Sequence, residues 1–260
     1  ADDPLTRVYR NDGNGTFTDI EAGITPVSDG RFVSSRNGAV DWGDYDNDGD
    51  LDLFVTGTNS GGDASATIYR NEGDDTFTAL ELGFSDNVLS GASEWIDYDE
   101  DGNLDLISGS RFYRNEGNGD FIPVEKEVNL GGDRKDWGDY DGDGDPDVIV
   151  NGNTLYRNDG NGQFTAIETN IEVSGTAKWG DYDNDGDLDL AAAGVVDSTP
   201  TTTIYRNDGG GTFVAIDASL TGVEDAALDW GDIDGDGALD LVVTGRDADF
   251  SATATIYRNE

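Results

Sequence analysis

A chain of 260 residues with 15 Lys and Arg against 56 Asp and Glu carries a net charge of −41, which repels nucleic acid and anionic lipid surfaces. It has neither Cys nor His, which removes disulfides, thiol redox chemistry, His-based triads and the usual zinc sites. Apolar runs stay far short of the roughly 18 residues that span a bilayer, so no membrane insertion is expected.

Residues 1–20 hold two short β-type runs, 7–10 and 16–18. Five similar units follow at about 38–81, 91–125, 133–168, 175–217 and 226–260. The first reads as four strands, A to D, at residues 39–42, 51–55, 67–70 and 76–80. Each run is β-branched or aromatic and is bounded by Gly, Asn and Asp, the signature of strands and hairpins. Strand A ends on a Trp in every unit: Trp42, Trp95, Trp137, Trp179 and Trp230, spaced by 53, 42, 42 and 51 residues. Strand C ends on Tyr-Arg-Asn, beginning at Tyr9, Tyr69, Tyr113, Tyr156, Tyr205 and Tyr257. Strand D opens on Phe17, Phe77, Phe121, Phe164 and Phe213. Sustained helical periodicity is missing throughout. Four-stranded units at this period predict an all-β fold, a five-bladed β-propeller of antiparallel blades in one domain over 1–260. A solenoid is the structural alternative.

Between strands A and B lies a nine-residue acidic loop. Its first copy is Asp44-Tyr45-Asp46-Asn47-Asp48-Gly49-Asp50-Leu51-Asp52. Asp recurs at loop positions 1, 3, 5 and 9: Asp44, Asp46, Asp48 and Asp52; Asp97, Asp99, Asp101 and Asp105; Asp139, Asp141, Asp143 and Asp147; Asp181, Asp183, Asp185 and Asp189; Asp232, Asp234, Asp236 and Asp240. Carboxylates this close repel unless a cation lies among them. A hard cation takes six to eight oxygens, and Ca²⁺ accepts irregular geometry. Gly at position 6 permits the reversal around the ion. Position 7 is Asp50, Asn103, Asp145, Asp187 and Ala238, and a position that accepts Ala is read as a ligand through its backbone carbonyl. The loop lacks the Glu at position 12 of an EF-hand, having Val55, Ser108, Val150, Ala192 and Val243 there. Up to five Ca²⁺, one per blade, are therefore expected, against the plainer reading of acidic turns. The loops hold 24 of the 56 acidic residues, so the acidity is largely patterned for metal.

The phrase Trp-Gly-Asp-Tyr-Asp-x-Asp-Gly-Asp-Leu-Asp-Leu, followed by Tyr-Arg-Asn-Asp-Gly-x-Gly-x-Phe-Thr, resembles the FG-GAP/VCBS repeat family over essentially the whole chain. The resemblance implies calcium-binding propeller blades, similar to those of integrin α-subunit heads, with calcium held at the Asp positions above. It implies no single activity, because such folds host adhesins, lectins, enzyme-associated modules and scaffolds. Ile96 stands for the Gly after Trp, Pro146 for Leu and Ile233 for Tyr, and Glu100 adds charge beside its loop. These departures are expected to alter affinity at their sites.

In an up-and-down blade the acidic loops and the Asn-Asp-Gly turns share one face. The opposite B–C connections vary, with Trp-to-Tyr spacings of 27, 18, 19, 26 and 27. Residues 59–63 and 197–201 are such insertions, and residues 21–37, with Arg31 and Arg36, form a long first D–A link. Variable loops on a fixed scaffold are candidate binding surfaces. Strand C occurs six times while A, B and D occur five times. With no Met present, the chain reads either as an excised piece of a longer repeat protein or as a subunit whose N-terminal strands fill a neighbour's last blade. The expected function is a non-catalytic, extracellular, calcium-stabilised module for structure, adhesion or binding. Its expected partners are copies of itself or an extracellular protein or glycan. A lectin-type propeller and a polysaccharide-active enzyme domain are the alternatives, the latter needing a free carboxylate pair about 5 to 9 Å apart. Low-affinity calcium loops suit a compartment with near-millimolar calcium, hence the extracellular expectation.

Overall fold

The computed structural model describes residues 7–24, 40–58, 64–80, 93–117, 119–124, 130–132, 134–209 and 211–260. The insertion at 59–63 and most of the long link at 21–37 lie outside them. The chain divides into two compact units, 1–129 and 130–260.

Unit 1 begins with a hairpin of β1 (Tyr9–Asn11) and β2 (Phe17–Asp19). Two four-stranded antiparallel sheets follow. The first is β3 (Val40–Gly43), β4 (Asp52–Thr58), β5 (Ala64–Asn71) and β6 (Phe77–Leu80). The second is β7 (Ser93–Ile96), β8 (Asp105–Ser108), β9 (Arg111–Asn115) and β10 (Phe121–Val124). Unit 2 has β11 (Lys135–Gly138), β12 (Asp147–Val150), β13 (Thr154–Asn158) and β14 (Phe164–Ile167) as its first sheet. Its second is β15 (Ser174–Gly180), β16 (Asp189–Val196), β17 (Thr199–Asn207) and β18 (Phe213–Ile216). Its third has three strands, β19 (Glu224–Gly231), β20 (Asp240–Arg246) and β21 (Ala252–Tyr257). Among the described residues, strands A to D thus occur five, five, six and five times, as the motifs count them.

Sheets within a unit stack face to face, and this explains the sequence of the second strands. In β4, Leu53 and Val55 face one way and join the cluster with Ile24 and Tyr69, while Phe54 faces the other and joins Tyr45, Leu106 and Tyr113. Both faces are covered, so β8, β12 and most of β16 are buried at every position and read as unbroken apolar runs. The Gly after Trp has a packing cause. A Cβ on Gly43 would meet the next sheet's Trp95 ring at 2.8 Å, one on Gly138 would meet Trp179 at 3.0 Å, and one on Gly180 would meet Trp230 at 2.6 Å. Each Trp also stacks on the loop Tyr of the preceding sheet: Trp95 on Tyr45, Trp179 on Tyr140 and Trp230 on Tyr182.

Residues 197–201 differ from the expected loop. Val196 pairs with Thr199 and Val195 with Pro200, so the extra residues lengthen a hairpin. Asp197 and Ser198 both have positive φ, 48° and 65°, as a two-residue turn of the right twist demands. Similarly, β20 and β21 continue to Arg246 and Ala252 before their connection.

Candidate metal centre

Each acidic loop is shaped by its own carboxylates. The position-1 Asp folds the loop onto itself: Asp44 accepts hydrogen bonds from the backbone N–H of Asp48 and of Gly49, both at 3.0 Å. The same pair of bonds recurs at Asp97, Asp139, Asp181 and Asp232, between 2.9 and 3.2 Å. The position-5 Asp accepts the N–H of position 7, from Asp48 through Asp101, Asp143 and Asp185 to Asp236, at 2.9–3.0 Å. Backbone turns explain why this works. Position 6 is Gly at φ 88° to 101° in every loop, and position 4 is also left-handed, at Asn47, Glu100, Gly142, Asn184 and Gly235.

The position-9 Asp is the most enclosed. One oxygen of Asp105 accepts the N–H of Asn115 at 2.8 Å and the other that of Tyr98 at 3.3 Å. Asp52, Asp147, Asp189 and Asp240 do the same with their own strand C and loop start. This residue staples the loop to strand C. Burial raises its pKa to about 7 at Asp105 and Asp147, and to about 6 at Asp52 and Asp189, against the lowering by the two N–H donors. Asp240 departs from this. It is equally hidden from solvent, but fewer atoms surround it in its three-stranded sheet, and the N–H groups of Asn259 and Ile233 set its pKa below the ordinary value.

Position 3 completes the site. In each loop three carboxylates bring one oxygen apiece within 4.8 Å of each other: Asp44, Asp46 and Asp48; Asp97, Asp99 and Asp105; Asp139, Asp141 and Asp147; Asp181, Asp183 and Asp189; Asp232, Asp234 and Asp240. Position 5 enters the group in the first loop and position 9 in the other four. In three loops the Oδ1 of the position-3 residue, Asp46, Asp99 or Asp141, is buried without a hydrogen-bond partner. Burial first, and then the neighbouring Asp48, Asp101 or Asp143, raises the pKa of these residues. Such an oxygen is costly unless a proton or a cation meets it. An all-oxygen set with a bare, buried carboxylate oxygen fits a hard divalent ion.

The position-7 side chains lie elsewhere. A Cβ on Gly73 would touch Asp50 Oδ2 at 2.7 Å, and Gly117, Gly160 and Gly209 stand likewise close to Asn103, Asp145 and Asp187. These side chains turn toward the C–D turn. The Asn of Tyr-Arg-Asn carries more than the sequence suggests. Asn115 donates from Nδ2 to the carbonyls of Leu104 at 3.1 Å and of Tyr45, in the preceding loop, at 2.7 Å. Asn207 reaches Tyr140 and Asn259 reaches Tyr182 in the same way. Position 4 adds a second link, from Asn47 Nδ2 to the Gly102 carbonyl at 3.1 Å and from Asn184 Nδ2 to that of Gly237 at 3.2 Å. Asn at a left-handed, exposed position was the available signal for these bridges. The Arg residues pair two places on, Arg70 with Glu72, Arg157 with Asp159 and Arg206 with Asp208, on the surface.

Stacked antiparallel sheets, each carrying an acidic metal loop between its first two strands, define a class of repeat protein. The chain belongs to the FG-GAP-like repeat family, whose repeat matches residues 1–55, 44–108, 139–192 and 181–243. Among curated proteins none matches. Among solved structures, the fold is similar to that of the V. cholerae biofilm matrix protein Bap1, at a TM-score of 0.50 and 17% identity. The match covers 89% of this chain and 39% of Bap1, so the chain spans well under half of that protein's length. No helix among the described residues is long and apolar enough to cross a membrane.

Proposed function

We propose that this chain is a non-catalytic, extracellular module for structure or adhesion, whose sheets are the five blades of a β-propeller held together by Ca²⁺. The observation that carries the reading is the buried, unpartnered carboxylate oxygen of Asp46, Asp99 and Asp141 inside a triad of acidic side chains. Positions 1, 3, 5 and 9 of each loop supply side-chain oxygens, and position 7 supplies its carbonyl. A bound divalent ion offsets the burial that raises the pKa of position 3 in the first three loops and of position 9 in the first four. The positional roles fit this: position 1 closes the loop, position 9 ties it to strand C, and position 3 keeps a bare buried oxygen for the ion in the first three loops. Five ions would bring the net charge to about −31, which still leaves a surface that resists collapse. The propeller reading is supported by sheets that stack in sequence order with their first strands adjacent, β3 beside β7, and β11, β15 and β19 in succession. An extracellular structural role draws support from the calcium chemistry and from the description of Bap1 as a biofilm matrix protein.

Calorimetry with calcium on the chelated protein tests the proposal. The expected result is several sites filled at sub-millimolar to millimolar calcium, with magnesium binding more weakly. Absence of heat and of any rise in melting temperature with calcium sinks it.

A further inference from the structure

Position 7 of the second loop differs from the other four. It is Asn103, where they have Asp50, Asp145, Asp187 and Ala238. An ionised Asp can only accept hydrogen bonds and Ala can do neither, so Asn103 alone brings a side-chain N–H to this position.

The Asn103 amide is held on three sides. Its Nδ2 donates to Asp101 Oδ1 at 2.9 Å. The backbone N–H of Asn103 reaches the same oxygen, also at 2.9 Å. Its Oδ1 accepts from Asn47 Nδ2, in the preceding loop, at 3.2 Å. The C–D turn closes the third side, since a Cβ on Gly117 would meet Asn103 Oδ1 at 3.1 Å and Nδ2 at 3.3 Å. The direction of each bond follows from the groups themselves. The Asp101 carboxylate is an acceptor only, so the Nδ2 of Asn103 faces it and the Oδ1 is left for Asn47. The Gly102 carbonyl is likewise an acceptor only, and it takes Asn47 Nδ2 at 3.1 Å. Turning either amide over would set oxygen against oxygen.

The result is a relay from one loop into the next: Asn47 to Asn103 to Asp101. In the other loops the position-5 carboxylates, Asp48, Asp143, Asp185 and Asp236, accept the backbone N–H of position 7, but no side chain there can add a second donor. The link between the fourth and fifth loops stops at the backbone. Asn184 Nδ2 meets the Gly237 carbonyl at 3.2 Å, and Ala238 has no amide to carry it on to Asp236. The second loop also has the greater need of a donor at position 7. Glu100 adds a carboxylate to Asp97, Asp99, Asp101 and Asp105, and an Asp at 103 would add yet another. An amide there offsets the mutual repulsion that a further carboxylate would increase.

We propose that Asn103 is a positioning residue for the metal: it fixes the Asp101 carboxylate for the ion of the second loop and, through Asn47, steadies position 4 of the first loop, between Asp46 and Asp48. This deepens the calcium reading above and rests on it. A carboxylate already held in place loses less freedom when the ion arrives, so the ion is bound more tightly.

The test is a calcium titration of the full chain followed by the NMR amide signals of the position-6 glycines. Each reports its own loop, because Gly49, Gly102, Gly144 and Gly186 donate their N–H to the position-1 Asp of that loop. The variant is Asn103→Ala. Ala at position 7 is compatible with the loop, since Ala238 keeps its N–H bond to Asp236 at 2.9 Å and Gly237 keeps its bond to Asp232 at 3.0 Å. The midpoint at Gly102 should rise by roughly three- to tenfold, as the loss of one hydrogen bond to a charged group at a part-exposed site implies. The midpoint at Gly49 should rise by a smaller factor, and those at Gly144 and Gly186 should stay in place. In a chain that already carries Asn47→Ala, adding Asn103→Ala should no longer move Gly49, because the relay passes through Asn47. The proposal is overturned by an unmoved Gly102 curve, by all four curves shifting together as a general loosening would shift them, or by a Gly49 shift that survives Asn47→Ala. Glycine signals that ignore calcium in the wild-type chain would overturn the calcium reading itself, and this inference with it.

Discussion

At the scale of the residue, the acidic positions divide into those that shape the loop and those that wait for an ion. Asp141 has a bare buried oxygen, whereas both oxygens of Asp147 are engaged by Tyr140 and Asn158. Asn at these two places should therefore act in opposite directions in chelator. Asp141→Asn removes a buried charge and should raise the melting temperature of the metal-free protein while weakening calcium binding. Asp147→Asn sets an amide N–H₂ against a backbone N–H and should cost about 1–3 kcal/mol with or without calcium. Thermal melts of the two variants, each in calcium and in chelator, check both. Glu100 is a different case. It has φ 56° where the other loops have Asn or Gly. Glu100→Gly relieves a left-handed conformation that costs a side chain roughly 1 kcal/mol and should raise the melting temperature by a few degrees. A fall would show that the Glu100 side chain holds the loop by other means.

At the scale of the element, the loop and the strands it joins share a pH dependence whose sign follows from burial. The carboxyls of Asp105 and Asp147 titrate near 7, and those of Asp52 and Asp189 near 6, all above their unfolded value of about 3.9. The folded metal-free protein therefore holds more protons than the unfolded chain. Its stability is greatest below about pH 4 as far as these groups are concerned, and it falls as the pH rises through 6 and 7. Calcium replaces the protons and should invert this trend. Denaturant midpoints measured in chelator at pH 5 and 7.5 should fall with pH, and those in calcium should rise. The sheet interface makes a second prediction. Gly180→Ala drives a Cβ into Trp230 at 2.6 Å and should cost about 1–3 kcal/mol, while Gly231→Ala, with open space, should leave the melt unchanged. Much of this level was legible in the sequence. The Trp, Tyr-Arg-Asn and Phe markers placed 21 strands in the right order, and the Asp spacing marked the loops. Two things stayed hidden. The residues at 199–201 read as loop because Thr-Pro-Thr carries no strand pattern, yet the left-handed Asp197-Ser198 turn lets them pair. The twin engagement of the position-9 Asp depends on which N–H groups the fold brings to it, and spacing along a chain does not show that.

At the scale of the whole molecule, the proposed calcium ions would be a stabilising component of considerable size. With dissociation constants of about 10⁻⁴ to 10⁻³ M and about 1 mM calcium, each site adds ~0.4–1.4 kcal/mol. Five such sites add roughly 2–7 kcal/mol, comparable with the 5–15 kcal/mol that holds an ordinary domain folded. Chelation should therefore lower the melting temperature by many degrees and open the sheets to protease, and limited proteolysis with and without calcium reads this directly. The bridges from position 4 add a consequence of another kind. Asn47 and Asn184 each grip the loop that follows, whereas Gly142 and Gly235 have no side chain with which to do so. An ion that orders the fourth loop also holds Gly237 in place, so the fifth loop meets its own ion already part-ordered. The third and fourth loops lack that side-chain link. The five sites are then not equal beads on a string. Those joined by a position-4 Asn should respond to calcium more steeply than the third and fourth loops, which share only the Asn207 bridge, and Asn47→Gly or Asn184→Gly should weaken that coupling.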